Sequence, residues 1–126
     1  MKRPLIIAGL ILAIAAFDSF ANVPGIGEDL MHDIEDATRD LDSNLLQKNA
    51  VASAQNTDAL LELFAQVSDY YQQHPDAEKG QTYSRDITLQ LTTIKQQISD
   101  QDFEGASQGI NKVTKTCKAC HSVYKS

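Results

Sequence analysis

The sequence predicts an all-α protein whose four helices form an antiparallel up-down-up-down bundle. Apolar residues recur at helical spacing through four stretches of about 15 to 25 residues, and short connections join these stretches. No alternating run rich in Val, Ile and Thr stands between turn signals, as a β-strand would require. A length of 126 residues, of which 42% are apolar, provides for one ordinary hydrophobic core. We therefore expect a single domain.

Residues 1 to 21 have the pattern of a cleaved export signal. Two basic residues precede an uncharged run of 13 residues that begins at Leu5, and the small side chains of Ser19 and Ala21 suit a signal peptidase. The run is too short to span a membrane, which needs about 20 apolar residues. We expect cleavage after Ala21, a folded domain of residues 22 to 126, no stable membrane insertion, and a location in a bacterial periplasm or its equivalent.

The first helix is predicted from Glu28 to about Gln47. Acidic residues crowd its first turns, where the helix dipole favours them. Its inward arc spans about 80° on a helical wheel and comprises Met31, Ile34, Thr38, Leu41 and Leu45. Residues 49 to 56 are polar and small and predict a loop, so that Thr57 would cap a second helix ending near Gln73.

A proline separates the second helix from the third. His74 precedes Pro75, and the residue before a proline disfavours the helical region. A third helix is expected over residues 77 to 99, with Gly80 weakening its first turns, and Asp102 can cap a fourth that runs towards the C-terminus. The inward stripes of the last three helices are Leu60, Leu63, Phe64, Val67, Tyr70 and Tyr71, then Tyr83, Ile87, Leu91, Ile94 and Ile98, then Phe103, Ala106, Ile110, Val113 and Tyr124.

The fourth helix carries the most informative motif, the C-x-x-C-H pattern of residues 117 to 121. In haem attachment each thiol adds across one vinyl group to form a thioether, and the adjacent histidine reaches the iron from the same side. Cys117, Cys120 and His121 share an arc of about 100° that continues the inward stripe. We therefore predict one covalently attached haem c, with the two cysteines as anchors and His121 as the proximal iron ligand.

Two other chemistries remain open for these cysteines. An exported protein can form a Cys117–Cys120 disulfide, but thiol oxidoreductases usually place the first cysteine at a helix N-terminus, where its pKa falls. A structural zinc site would need a fourth ligand, and Cys120 and His121 are too close together for an ordinary ligand pattern. Both alternatives are weaker than haem attachment.

The arrangement resembles the class II c-type cytochromes, the cytochrome c-prime family. The ending from Cys117 to Lys125 is similar to that family's pattern, with an aromatic and then a basic residue after the histidine. The chain also resembles the related soluble b-type bundle cytochrome, closely in spacing from Asp102 to Lys125 and loosely from Asp29 to Leu45. The resemblance implies a haem between the helices, His121 as its proximal ligand, and either electron transfer or the binding of a small gas. Class II relatives are often dimers through their first helices, which leaves a homodimer open.

The sixth iron ligand decides between these two roles. A histidine–methionine pair favours outer-sphere electron transfer, whereas a vacant position lets nitric oxide or carbon monoxide bind. Met31 is the only methionine after the predicted signal, and the start of the first helix lies near the end of the fourth in such a bundle. The b-type relative carries its methionine on this helix, so the resemblance favours Met31 as the distal ligand over Met31 as a core residue only.

Two histidines compete with Met31. His32 lies about 140° from the centre of the inward arc and is expected to face solvent, although periodicity can fail at a helix end. His74 is expected to be a loop residue. The first helix also lacks the tyrosine–arginine pair that the c-prime family often carries ahead of its sixth-site residue, which favours electron transfer over gas binding.

We therefore predict a periplasmic mono-haem c-type cytochrome that carries single electrons. It is not expected to be an enzyme, because no acid–base pair or nucleophile stands out beyond the haem motif. The alternatives are a five-coordinate binder of nitric oxide or carbon monoxide and, from another class, a haem-free thiol–disulfide protein.

Charge limits the partners. A formal net charge of −6 argues against a nucleic-acid partner, which needs a basic face. Lysines nevertheless surround the motif, at positions 112, 115, 118 and 125. They either suit the C-terminal end of a helix or form a basic ring that steers an acidic periplasmic redox protein to the haem edge.

Overall fold

The computed structural model describes residues 26–74 and 76–124 and folds them into a bundle of four helices. These are α1 (Glu28–Leu46), α2 (Ala50–Gln72), α3 (Glu78–Ser99) and α4 (Phe103–Tyr124). Each helix packs on the next, and α4 closes the ring against α1, while the diagonal pairs make no close backbone contact within these ranges. The short turns make neighbouring helices antiparallel. The predicted all-α four-helix bundle is confirmed, and the predicted signal peptide lies outside the described residues.

One apolar core runs along the axis of the bundle. Its buried members are Ile34, Leu41, Leu45, Leu60, Phe64, Val67, Tyr71, Ala77, Ile87, Leu91, Ile94, Ile98, Ala106, Ile110 and Val113. The inward stripes predicted for all four helices therefore face one another. Leu63, Tyr70, Phe103 and Tyr124 are half-buried and pack against this core, whereas the half-buried Tyr83 does not. The core face of α3 uses Gly80 and Ser84 instead. Among the described residues, no helix combines the length and the apolar character that a membrane span needs.

The predicted loop over residues 49 to 56 and the predicted cap at Thr57 are both wrong, because α2 begins at Ala50. The Asn49 side chain caps it by accepting a hydrogen bond from the Ala52 N–H at 3.1 Å. Ser53 and Thr57 are fully buried on the core face, and the Thr57 hydroxyl donates to the Ser53 carbonyl oxygen at 2.8 Å. Small polar residues thus occupy core positions where helical periodicity predicts apolar ones. The Ala and Gln residues around them favour a helix.

The predicted cap of the fourth helix is confirmed. The Asp102 carboxylate accepts a hydrogen bond from the Gly105 N–H at 2.9 Å, and α4 starts at the next residue, Phe103. At its other end, the Tyr124 hydroxyl accepts from the Gly80 N–H, which places the end of α4 beside the start of α3. We call this end of the bundle, where α1 and α3 begin and α2 and α4 end, the motif end, and the opposite end the far end.

Candidate functional site

The last turns of α4 carry the three residues singled out from the sequence. Cys117, Cys120 and His121 are all half-buried, and both cysteines are free thiols. Cys117 packs against the apolar core. The structure therefore groups the two sulfur atoms and the imidazole in the last turns of one helix, with Cys117 next to apolar surface.

The two thiols are neutral at ordinary pH. Burial raises the pKa of Cys117 to about 11, and the nearby Cys120 adds to the shift. Burial also raises the pKa of Cys120, although a hydrogen bond with Tyr71 opposes this. A thiol oxidoreductase needs the opposite shift, because the thiolate is the nucleophile. These surroundings suit sulfur atoms that become neutral thioethers.

His121 lies on the flank of α4 that faces α1. The opposite flank is identified by Gly109, whose backbone lies directly against Ile94 of α3. Helical geometry puts His121 about 120° around the helix from Gly109, with the core-facing Val113 between them. The imidazole therefore stands at the boundary between α4 and α1.

Met31 lies on the matching flank of α1. The flank towards α2 is identified by Asn44, whose side-chain amide donates to the Asn56 side chain at 2.7 Å. Met31 is about 140° around the helix from Asn44 and so faces the α4 side. It is half-buried in the first turn and packs against the core.

The helix register also brings Met31 and His121 to one level. In two antiparallel helices, residues at the same height along the bundle axis have numbers that rise in one helix and fall in the other. The contacts that fix the register are Asn44–Asn56, Asp58–Lys95 and Ile94–Gly109. The first contact puts Met31 of α1 level with Asp69 of α2. The second puts Asp69 level with Ser84 of α3, and the third puts Ser84 level with Ala119 of α4. Met31 and His121 thus differ by about 3 Å along the axis, at 1.5 Å per residue.

The two rival histidines lie elsewhere. The His32 side chain is 71% exposed and lies 3.7 Å from the Glu35 carboxylate, so the expectation that it faces solvent is confirmed. His74 follows the end of α2, where its Nδ1–H donates to the Tyr70 carbonyl oxygen at 2.7 Å and its ring stacks on the Tyr70 ring. His74 is therefore held by its own helix end, as expected of a loop residue.

Three residues at the motif end have roles that the sequence reading missed. Tyr71 is buried at 3% exposure, and burial raises its pKa far above the usual range. Its ring lies 5.1 Å from the Tyr124 ring and directly on Gly80, where any Cβ atom would overlap it. In the inward stripes the tyrosines count as apolar residues, which leaves the roles of their hydroxyls unpredicted. One signal was available in the sequence: Ala77, the residue before α3, has no side-chain group that could cap that helix.

The lysines around the motif are exposed. Lys112, Lys115 and Lys118 lie on the solvent side of α4, and none forms an ion pair with the residues that the structure describes. Lys125 lies outside the described residues. The exposed face of the neighbouring α1 is acidic, with carboxylates from Glu28 to Asp42. The surface therefore carries opposite charges on two adjacent helices.

This donor set fits a covalently attached haem. Two neutral thiols and one imidazole are half-buried in the last turns of α4, and Cys117 packs against the apolar core that a macrocycle can join. A zinc site finds no support, because the described ranges contain no group of three or more His, Cys, Asp and Glu side chains that could hold a metal ion.

Comparison with known proteins agrees with this geometry. A family model described as "Cytochrome C'" matches residues 26–125, which include all four helices and the cysteine–histidine motif. Curated proteins and solved structures gave no match. The family match confirms the resemblance drawn from the motif and the helix pattern.

Proposed function

The chain belongs to the cytochrome c' family, and from this premise we propose that it is a periplasmic mono-haem cytochrome that transfers single electrons. Members of the family bind covalently attached haem c with iron, so the predicted cofactor is confirmed and the chain is a haem-binding c-type cytochrome. We propose the two axial ligands of the iron, the choice of electron transfer over gas binding, and the periplasmic location.

We assign the anchors to Cys117 and Cys120 and the proximal ligand to His121. Each S–H bond would add across one vinyl C=C bond, so that the sulfur bonds to one carbon and the proton goes to the other. The raised pKa of Cys117 supports a neutral thiol until that addition. When bound, haem supplies an iron that gains or loses one electron.

Electron transfer is supported by the helix geometry, which brings Met31 of α1 level with His121 of α4. The two side chains lie on the facing flanks of α1 and α4 and about 3 Å apart in level. A thioether sulfur and an imidazole together fill both axial positions, which favours outer-sphere electron transfer. Leu30 and Ile34, on either side of Met31, pack against the core and hold that turn of α1.

One observation favours a second candidate, a five-coordinate binder of nitric oxide or carbon monoxide. Met31 lies in the first turn of α1, and the residue before that turn, Gly27, has no side chain to cap it. First turns without a cap open more easily than helix interiors. A Met31 sulfur that leaves the iron would vacate the sixth position.

The export pattern of residues 1 to 21 supports a periplasmic location, which is also typical of the family. For a partner we propose an acidic periplasmic redox protein. Lys112, Lys115 and Lys118 are exposed beside the motif and unpaired within the described ranges, so they can attract such a surface before contact. We propose no enzymatic reaction, because the site residues account for haem binding alone.

Carbon monoxide distinguishes the two candidates. It is added to the reduced, haem-loaded protein at neutral pH, and binding is followed by absorbance. The electron-transfer proposal predicts slow or weak binding, because Met31 must first leave the iron. Rapid and tight binding would contradict Met31 ligation and favour the gas-binding candidate. Peptide mass spectrometry of the same sample should locate one haem on residues 117 to 121.

A further inference from the structure

One side chain ties the last turn of α4 to the first turn of α3. The Tyr124 hydroxyl accepts a hydrogen bond from the Gly80 N–H at 2.9 Å, although the two residues are 44 positions apart. An N–H in the first turn of a helix has no partner within that helix. The residue before α3 is Ala77, which has no side-chain group to offer. Tyr124 therefore caps α3 from a different helix.

Tyr71 holds this contact in place. It is buried at the end of α2, its ring lies on Gly80, and its centroid is 5.1 Å from that of Tyr124. We call Tyr71, Gly80 and Tyr124 the tyrosine clamp. The clamp joins three helices at the motif end.

His121 lies three residues before Tyr124, less than one helical turn away. Helix ends fray, so a ligand in a final turn keeps one orientation only if that turn is fixed to its neighbours. We propose that Tyr124 is a positioning residue for His121: by capping α3, its hydroxyl fixes the turn that aims the imidazole. This inference rests on the proposed function, because it assumes that His121 binds the iron.

The test compares the haem-loaded Tyr124→Phe variant with the wild type. The phenylalanine keeps the ring and its packing on Tyr71 and removes only the hydroxyl. We expect amide hydrogen exchange in the first turn of α3 to become about five-fold faster. We also expect the spectrum of the oxidised protein to gain a high-spin component and the reduction potential to shift, which loss of a cap alone would not cause.

Two further variants sharpen the test. Tyr70→Phe is the matched control, because it removes a buried hydroxyl that has no hydrogen-bond partner among the described residues, and it should leave exchange, spectrum and potential unchanged. The double variant Tyr124→Phe with Ala77→Ser offers α3 a side-chain cap of its own. It should restore slow exchange while the spectrum and potential stay shifted, since the tether to α4 is still missing.

The results distinguish failure of the positioning role from failure of the proposed function. The proposal is overturned if Tyr124→Phe leaves exchange unchanged, if it speeds exchange without altering spectrum and potential, or if Ala77→Ser restores all three. A wild-type protein whose spectrum shows no imidazole on the iron would overturn the proposed function as well. A wild type with His121 bound and a silent Tyr124→Phe variant would overturn only the positioning role.

Discussion

At the far end of the bundle, both helices that begin there have side-chain caps, from Asn49 to the Ala52 N–H and from Asp102 to the Gly105 N–H. At the motif end, the two helices that begin there follow Gly27 and Ala77, neither of which can cap with its side chain. The cysteines, His121 and Met31 are half-buried at that end. At the far end, Leu41 and Leu45 are almost fully buried.

This contrast indicates a division of roles. At the far end the apolar core is buried and both helix starts are capped, so this end stabilises the bundle without a cofactor. The motif end leaves half-buried apolar and sulfur-bearing surface, which a bound macrocycle would cover. We therefore expect substitutions at the far end to change stability without changing the haem spectrum, and substitution of the proposed iron ligands at the motif end to change that spectrum.

The largest stability effect is expected at the far end, from Leu41→Ala. Leu41 is 0% exposed, and truncating such a leucine costs about 2 to 5 kcal/mol because a cavity remains. Urea unfolding of the haem-loaded protein measures the loss. The matched control is Leu46→Ala on the same helix, whose 72% exposed side chain should contribute less than about 0.5 kcal/mol. A Leu41→Ala spectrum that differs from the wild type would contradict the division between the two ends.

The pH dependence of stability tests the role of Cys117 at the motif end. The unfolded thiol ionises at its ordinary pKa near 9, while burial holds the folded one neutral up to a pKa of about 11. Above pH 9 the unfolded state loses a proton that the folded state keeps, so the haem-free protein should lose about 1 to 2 kcal/mol by pH 11. Below pH 9 this group has no effect.

Denaturant titrations at pH 8 and pH 10.5 under reducing conditions measure that loss. Cys117→Ala should lose less stability than the wild type over the same interval. The haem-loaded protein should also lack this contribution, because a thioether sulfur has no proton to release. An equal loss in the loaded protein would show that Cys117 is not an anchor.

A smaller effect is expected from Asp102→Ala, which removes the cap of α4. Loss of an N-cap side chain costs about 1 kcal/mol. The control is Asp86→Ala, an exposed carboxylate in the middle of α3. Thermal unfolding should separate the two variants, and neither should alter the haem spectrum. Equal melting temperatures for the two would mean that the capping contact does not stabilise the fold.

The sequence predicted much of this molecule because the features involved are local. The bounds of α1, the cap at Asp102 and the common arc of Cys117, Cys120 and His121 depend only on residues within a few turns. The start of α2 was missed because Ser53 and Thr57 pack in the core as small polar residues. The Thr57 hydroxyl is satisfied within its own helix, by the Ser53 carbonyl oxygen, and a helical wheel that seeks apolar side chains does not identify such a position.

The tyrosine clamp shows the same limit at the site. A tyrosine in an apolar stripe predicts burial of its ring, but the partner of its hydroxyl lies on another helix. The pairing of Tyr124 with Gly80 depends on the register between α3 and α4, which only the folded structure provides. Met31 was easier to place, since a four-helix topology already brings the start of α1 to the end of α4.

The most direct test of the account is the spectrum of the oxidised Met31→Ala variant beside that of the wild type. We expect a sulfur-to-iron charge-transfer band and a low-spin spectrum for the wild type, and loss of that band with conversion to high spin in Met31→Ala. Asp40→Ala, which truncates an exposed side chain of the same helix, should retain the wild-type spectrum. An unchanged spectrum in Met31→Ala would contradict the assignment of Met31 as the distal ligand.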